Sequence, residues 1–155
     1  MNSVSAKLVI LIDDNEIDIF INRKVLEFNH FANRVMTYSS AREALDYLKS
    51  ASEKDIPDLI FLDLNMPVVD GFRFLYEFTE LPDDLRKRSG IVVLSSSNNI
   101  RDMEKIGLSP DVINFLPKPL TEEKLKQIRG LMKEAQYKTR ALKPAGNLDE
   151  LIESE

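Results

Sequence analysis

Five short, apolar or β-branched runs alternate with segments of helical period along this chain. No other feature limits the fold as much. The runs cover residues 8–12, 34–38, 59–62, 91–94 and 112–116. Three of them (8–12, 59–62 and 91–94) contain only apolar residues, the pattern of strands covered on both faces. Between the runs, apolar residues recur at three and four positions. Ile17, Phe20, Ile21, Val25 and Phe28 form one stripe, and Ala41, Ala44, Leu45 and Leu48 a second. Ser40 and Glu43 open the second stripe as a capping box. Phe72, Leu75 and Tyr76 begin a third after Gly71, while Met103 and Ile106 make a shorter fourth that Gly107 stops. Leu125, Ile128, Met132 and Ala135 form the fifth, with Thr121 as its N-cap. Strand and helix in alternation, five times over, predict an α/β fold: a doubly wound five-stranded parallel sheet with right-handed crossovers and helices on both faces. The charged stretch 81–90 reads as a solvated loop with room for one extra turn of helix. Helical period fades from Lys138, and Pro144 and Gly146 break any continuation.

Composition removes several kinds of chemistry. The 155 residues suit one domain and a short extension. With no cysteine there are no disulfides, thiolate metal sites or thiol nucleophiles, and His30 alone cannot build a multi-histidine metal site. It falls at the end of the first helical segment, where a structural role near the last carbonyls is expected. A net charge of −5 argues against direct nucleic acid binding. The longest apolar run is five residues, too short to span a bilayer, and no secretory signal opens the chain. A cytoplasmic protein without membrane insertion is the expectation.

In an open parallel sheet, ligands bind beyond the carboxyl ends of the strands. The first run is followed by Asp13 and Asp14, the third by Asp63, Leu64 and Asn65, the fourth by Ser95, Ser96 and Ser97, and the fifth by Pro117, Lys118 and Pro119. Three carboxylates brought together repel unless a cation lies between them. Oxygen ligands without imidazole suit a hard cation such as Mg²⁺, which commonly also binds a phosphate. A carboxylate nucleophile beside Mg²⁺, a lysine and a hydroxyl is equipped to accept a phosphoryl group.

On these residues the chain resembles the receiver domain of two-component response regulators, over roughly residues 7–133. The resemblance rests on Leu11-Ile12-Asp13-Asp14, on Phe61-Leu62-Asp63-Leu64-Asn65-Met66-Pro67 with Asp70-Gly71, on Val92-Val93-Leu94-Ser95, and on Phe115-Leu116-Pro117-Lys118-Pro119. It implies the flavodoxin-like sheet order 2-1-3-4-5, with Asp63 as phosphoacceptor. Asp14 would ligate Mg²⁺ directly, Asp13 through water and Asn65 through its backbone carbonyl. Lys118 would pair with the phosphoryl group, in a lysine-proline peptide that receivers often hold cis. Ser95 stands at the switching hydroxyl, with Ser96 as the alternative, and Phe115 at the rotating aromatic. The phosphodonor would be a sensor histidine kinase or a phosphotransfer protein. Output would go to a downstream protein on the fourth predicted helix, fifth strand and fifth predicted helix, residues 98–136.

A receiver of this kind catalyses only its own phosphorylation and dephosphorylation and is otherwise not an enzyme. Residues 1–137 are expected to form the receiver domain and 138–155 a C-terminal tail. That tail is either a solvated, mobile end or a short docking helix through Leu148, Leu151 and Ile152. No stretch after the fifth predicted helix is long enough for an output domain, so a stand-alone receiver is expected. The alternatives are a phosphorylation-independent binding module and an aspartyl-phosphate phosphatase. Asn65 disfavours the second, since such enzymes place another acid two residues after the nucleophile.

Overall fold

All five runs form strands, each reaching one or two residues past the run itself. The computed structural model describes residues 4–64, 66, 68–96 and 100–142. Its elements are β1 (Ala6–Ile12), α1 (Glu16–Phe28), β2 (Ala32–Tyr38), α2 (Ala41–Ser50), a 3₁₀ turn (Glu53–Asp55), β3 (Leu59–Asp63), α3 (Val68–Phe78), α4 (Asp83–Arg88), β4 (Gly90–Ser95), α5 (Ile100–Gly107), β5 (Val112–Pro117) and α6 (Glu122–Leu142). The strands are parallel and ordered β2-β1-β3-β4-β5, the predicted doubly wound fold.

Alternation along the strands divides the core. Ile10, Ile12, Ile60, Leu62, Ile91 and Val93 face one way, and α2, α3, α4 and α5 cover them through Ala44, Leu45, Leu48, Phe74, Phe78, Leu85 and Ile106. Val9, Leu11, Leu59, Phe61, Val92 and Leu94 face the other way, under Leu26 of α1 and Leu125, Ile128 and Met132 of α6. β1, β3 and β4 are therefore buried on both sides, as their continuous apolar composition predicts.

Several helices depart from expectation. The stretch read as a solvated loop contains α4, whose start follows Pro82. Asp83 and Asp84 lie in its first turn and Arg86, Lys87 and Arg88 in its last, a charge order that suits the helix dipole. Leu85 is buried, and Arg86 grips Asp111 at the entry to β5 with two hydrogen bonds of 3.3 and 3.1 Å. The fourth predicted helix is therefore α5 and the fifth α6. α3 begins before Gly71 and buries Phe74, Leu75 and Phe78, leaving Tyr76 exposed. Met103 of α5 is also exposed, and Ile106 is buried among that helix's described side chains. The largest departure is α1. Ile17, Phe20, Ile21 and Phe28 are exposed, while Asn22 and Leu26 are buried. α6 continues past Lys138 to Leu142, and the expected docking segment at Leu148, Leu151 and Ile152 lies outside the described residues. Among the described residues, no helix is long and apolar enough to cross a membrane.

β4 and β5 pair with one irregularity. Ile91 is opposite Val112, but Val92 is opposite Asn114, so β5 carries one extra residue. This is a β-bulge. The Asn114 side chain accepts a hydrogen bond from Phe115 N–H at 2.9 Å.

Candidate functional site

The strand order places the ends of β1, β3, β4 and β5 side by side, and the polar residues after them meet there. Asp63 ends β3 and is 2% exposed. Asp13 follows β1 and is also buried, whereas Asp14 is exposed. Each of the three can offer a carboxylate oxygen within 4.8 Å of the others. Ser95, at the end of β4, is buried in register with Pro117 and one position past the Leu94–Asp63 pair. Ser96 is exposed and Ser97 lies outside the described residues. Phe115 is half-buried against the α2–α5 side of the core, opposite Val93. Asn65 lies outside the described residues.

Lys118 reaches the centre of this group. Its ammonium is 2.9 Å from Asp63 Oδ1, 3.1 Å from Asp13 Oδ2 and 2.7 Å from Asp18 Oδ2. Its backbone is held as well. Lys118 N–H donates to Ser95 O at 3.0 Å. Lys124 Nζ donates to Pro117 O and Pro119 O at 2.6 and 2.7 Å, bracketing the lysine, and the Lys118–Pro119 peptide is cis. Leu120 N–H donates to Asn22 Oδ1 at 3.1 Å.

Asp18 and Asn22 escaped the sequence reading. They stand four apart on α1, the same spacing as Asn22 and Leu26, so all three share one helix face. A polar pair in line with a buried leucine was the available signal. Asn15 sets the start of that helix, its side chain accepting from Ile17 N–H at 2.9 Å and Asp18 N–H at 3.1 Å.

Burial, with Asp63 hydrogen-bonded alongside, pushes the Asp13 carboxyl up to about 6. Burial works against the Lys118 ammonium, but its hydrogen bonds to Asp18, Asp63 and Asp13 outweigh that and raise it above the usual lysine range. The site thus holds more negative charge than one lysine neutralises. Three clustered carboxylates with only oxygen to offer, one of them pushed toward its protonated form, make a donor set that fits a hard divalent cation.

Relatives share this arrangement of strands. A crystal structure of a response regulator receiver protein from Dyadobacter fermentans DSM 18053 superposes with a TM-score of 0.73 at 36% identity, covering 84% of this chain and 98% of that one. Response regulator Rcp1 of Synechocystis is 31% identical over 100 residues, 63% of this chain and 67% of Rcp1. The Mn²⁺-bound crystal form of Rcp1 superposes with a TM-score of 0.61 at 26% identity, covering 81% of this chain and 91% of that one. Response regulator MprA of Mycolicibacterium vanbaalenii is 31% identical over 126 residues, 81% of this chain but only half of MprA. Residues 9–129 match the response regulator receiver domain family, a span that runs from β1 to α6 and includes every side chain placed at the strand ends above. By sequence and by fold, this chain belongs to that family.

Proposed function

We propose that the chain is a phosphorylation-controlled switch in which Asp63 accepts a phosphoryl group from a sensor histidine kinase or a phosphotransfer protein. The observation that carries this reading is the Lys118 ammonium 2.9 Å from the buried Asp63 carboxylate, with Asp13 and Asp14 alongside. An Asp63 carboxylate oxygen forms a bond to phosphorus as the bond from phosphorus to the donor nitrogen breaks. The donor imidazole keeps that electron pair, and the product is an aspartyl phosphate. Lys118 supplies positive charge to the transferring oxygens. Asp14 and Asp63 would hold Mg²⁺ directly, Asp13 through water and Asn65 through its carbonyl. When bound, the cation neutralises charge gathered on the phosphoryl group. A Mn²⁺-bound form of Rcp1, a relative by fold, supports a divalent cation in this reading.

Ser95 is the switch hydroxyl in this reading, since it is buried one register position from Asp63 while Ser96 is exposed. Its movement toward the phosphoryl group would alter the loop into α5 and let Phe115 turn inward. The output surface is then α5, β5 and α6, where Met103 and Leu108 already present apolar side chains to solvent. Residues 1–137 act as the receiver unit, and a downstream protein reads that face.

Intact-mass measurement after incubation with acetyl phosphate and Mg²⁺ tests the assignment. Wild type should gain one phosphoryl group and Asp63→Asn none. Equal labelling of both would remove Asp63 from the role. No labelling of wild type by acetyl phosphate or by a phosphorylated histidine donor would favour a phosphorylation-independent binding module.

A further inference from the structure

Asp18 lies in the first turn of α1, where an acid ordinarily does no more than complement the helix dipole. Its partner indicates more. Asp18 Oδ2 makes the shortest of the three contacts to Lys118 Nζ, 2.7 Å against 2.9 Å for Asp63 and 3.1 Å for Asp13. An ammonium has three N–H donors, and these three carboxylates match them. The acids are not equivalent. Asp13 and Asp63 belong, with Asp14, to the carboxylate cluster found among the described residues, and Asp18 does not. Two of the three partners therefore have a second claim on them whenever a cation or a phosphoryl group is present. Only Asp18 can stay with the lysine throughout.

We propose that Asp18 is a positioning residue for phosphoryl transfer, keeping the Lys118 ammonium beside Asp63 while Asp13 and Asp63 engage a cation and the incoming phosphoryl group. The role rests on the phosphoacceptor assignment of Asp63. α1 is built for it. One turn past Asp18, Asn22 Oδ1 accepts from Leu120 N–H. The same helix face thus grips the backbone just after Lys118 and the end of the Lys118 side chain. Backbone contacts to Ser95, Asn22 and Lys124 fix where the lysine starts. Asp18 fixes where its charge ends. The lysine side chain is 10% exposed and that of Asp18 34%, so Asp18 holds the ammonium from the solvent side while Asp63 lies on the buried side.

The test compares Asp18→Asn with Glu16→Gln, which removes an exposed acid from the same helical turn, and with Asp18→Glu, which restores the charge. The first measurement is the NMR signal of the Lys118 side-chain ammonium in the presence of Mg²⁺ alone. Wild type and Glu16→Gln should show a proton signal shielded from water exchange, and Asp18→Asn should lose it. The second is phosphoryl uptake from acetyl phosphate at saturating Mg²⁺. Asp18→Asn should be slowed about tenfold, as expected when a charged contact no longer orients a catalytic group. Asp18→Glu should recover at least part of the rate, and Asp18→Asn should have no further effect in a Lys118→Met background. An unchanged ammonium signal, or equal slowing in Asp18→Asn and Glu16→Gln, would overturn the proposal. Should wild type take up no phosphoryl group, the assignment of Asp63 falls, and the ammonium signal still decides whether Asp18 holds the lysine.

Discussion

Helices α1 and α2 have similar apolar periodicity in sequence and use it in opposite ways. α2 buries the whole stripe: Ala41, Ala44, Leu45 and Leu48 pack into the core. α1 turns most of its stripe to solvent, with Phe20 62% and Phe28 84% exposed and Lys24 resting over the Phe20 ring. Its inward face carries Asn22 and Leu26, with Asp18 at the site end of the same line. The reason lies outside either helix. α2 packs into a cluster of apolar residues from the sheet and from α3, so its most apolar face is the best one to bury. α1 lies beside the loop after β5, where Leu120 N–H needs an acceptor and Lys118 needs a counter-charge. An N–H left unpaired under that helix would cost about 1–3 kcal/mol and Lys118 would lose a counter-charge, so the polar line turns inward and apolar side chains are left in water.

The comparison fails if the two stripes respond alike to truncation, and this is where the largest effect is expected. Leu45→Ala in α2 should lower stability by about 2–5 kcal/mol, as cavity-forming substitutions do. Phe20→Ala in α1 should stay within about 0.5 kcal/mol. Urea denaturation of both variants gives the numbers, and a loss at Phe20 comparable to that at Leu45 would show that α1 packs differently. A smaller effect sharpens the contrast within α1 itself. Asn22→Ala removes the acceptor for Leu120 N–H and should cost about 1–3 kcal/mol, more than truncating the larger Phe20. If Asn22→Ala were neutral, the polar pair would not be what orients the helix.

The smallest expected effect separates the two helices at their ends. α2 stops at Ala51 with ordinary extended backbone. α1 stops through His30, which has φ of 49° and donates its N–H to Glu27 O at 3.1 Å. The histidine's contribution near the helix end is thus made by its backbone, in a left-handed conformation that suits glycine. His30→Gly should stabilise the protein by about 0.5 kcal/mol, the net of relieved strain and added unfolded-state entropy. Glycine at Ala51 should destabilise it. Thermal denaturation of the two variants checks both signs.

How much was legible in the sequence follows the same division. The strands and their parallel pairing were readable because a strand buried on both faces must be continuously apolar and its terminus fixes where the next polar side chain falls, while the order of the strands came from the family resemblance. Asp13 and Asp63 come directly after the apolar runs of β1 and β3, and Lys118 comes directly after the partly buried edge strand β5. The orientation of α1 was not readable from its own periodicity, because a stripe says that a helix has two unlike faces and not which neighbour each will meet. Asp18 was missed for that reason. Helix α4 was hidden by its charge: of its six residues only Leu85 is buried, and the pairing that anchors it, Arg86 with Asp111, joins positions 25 residues apart.

The extra residue in β5 has a consequence for how this chain can change length. Val112 and Phe115, three positions apart, both contact the α2–α5 side of the core, although side chains on a regular strand return to a face every second residue. The bulge advances the chain by one place, so that Phe115 meets Val93, Pro117 meets Ser95, and Lys118 arrives at Asp63. Deleting the extra residue between Val112 and Asn114 would make the pairing regular and leave Phe115 opposite Val93, whereas deleting one residue after Phe115 would break the pairing that follows. The second deletion would turn each later side chain to the opposite face and draw the lysine back by about 3.3 Å. Few surface loops in such a fold would resist shortening so strictly. From Phe115 onward, the count of residues decides whether Lys118 meets Asp63.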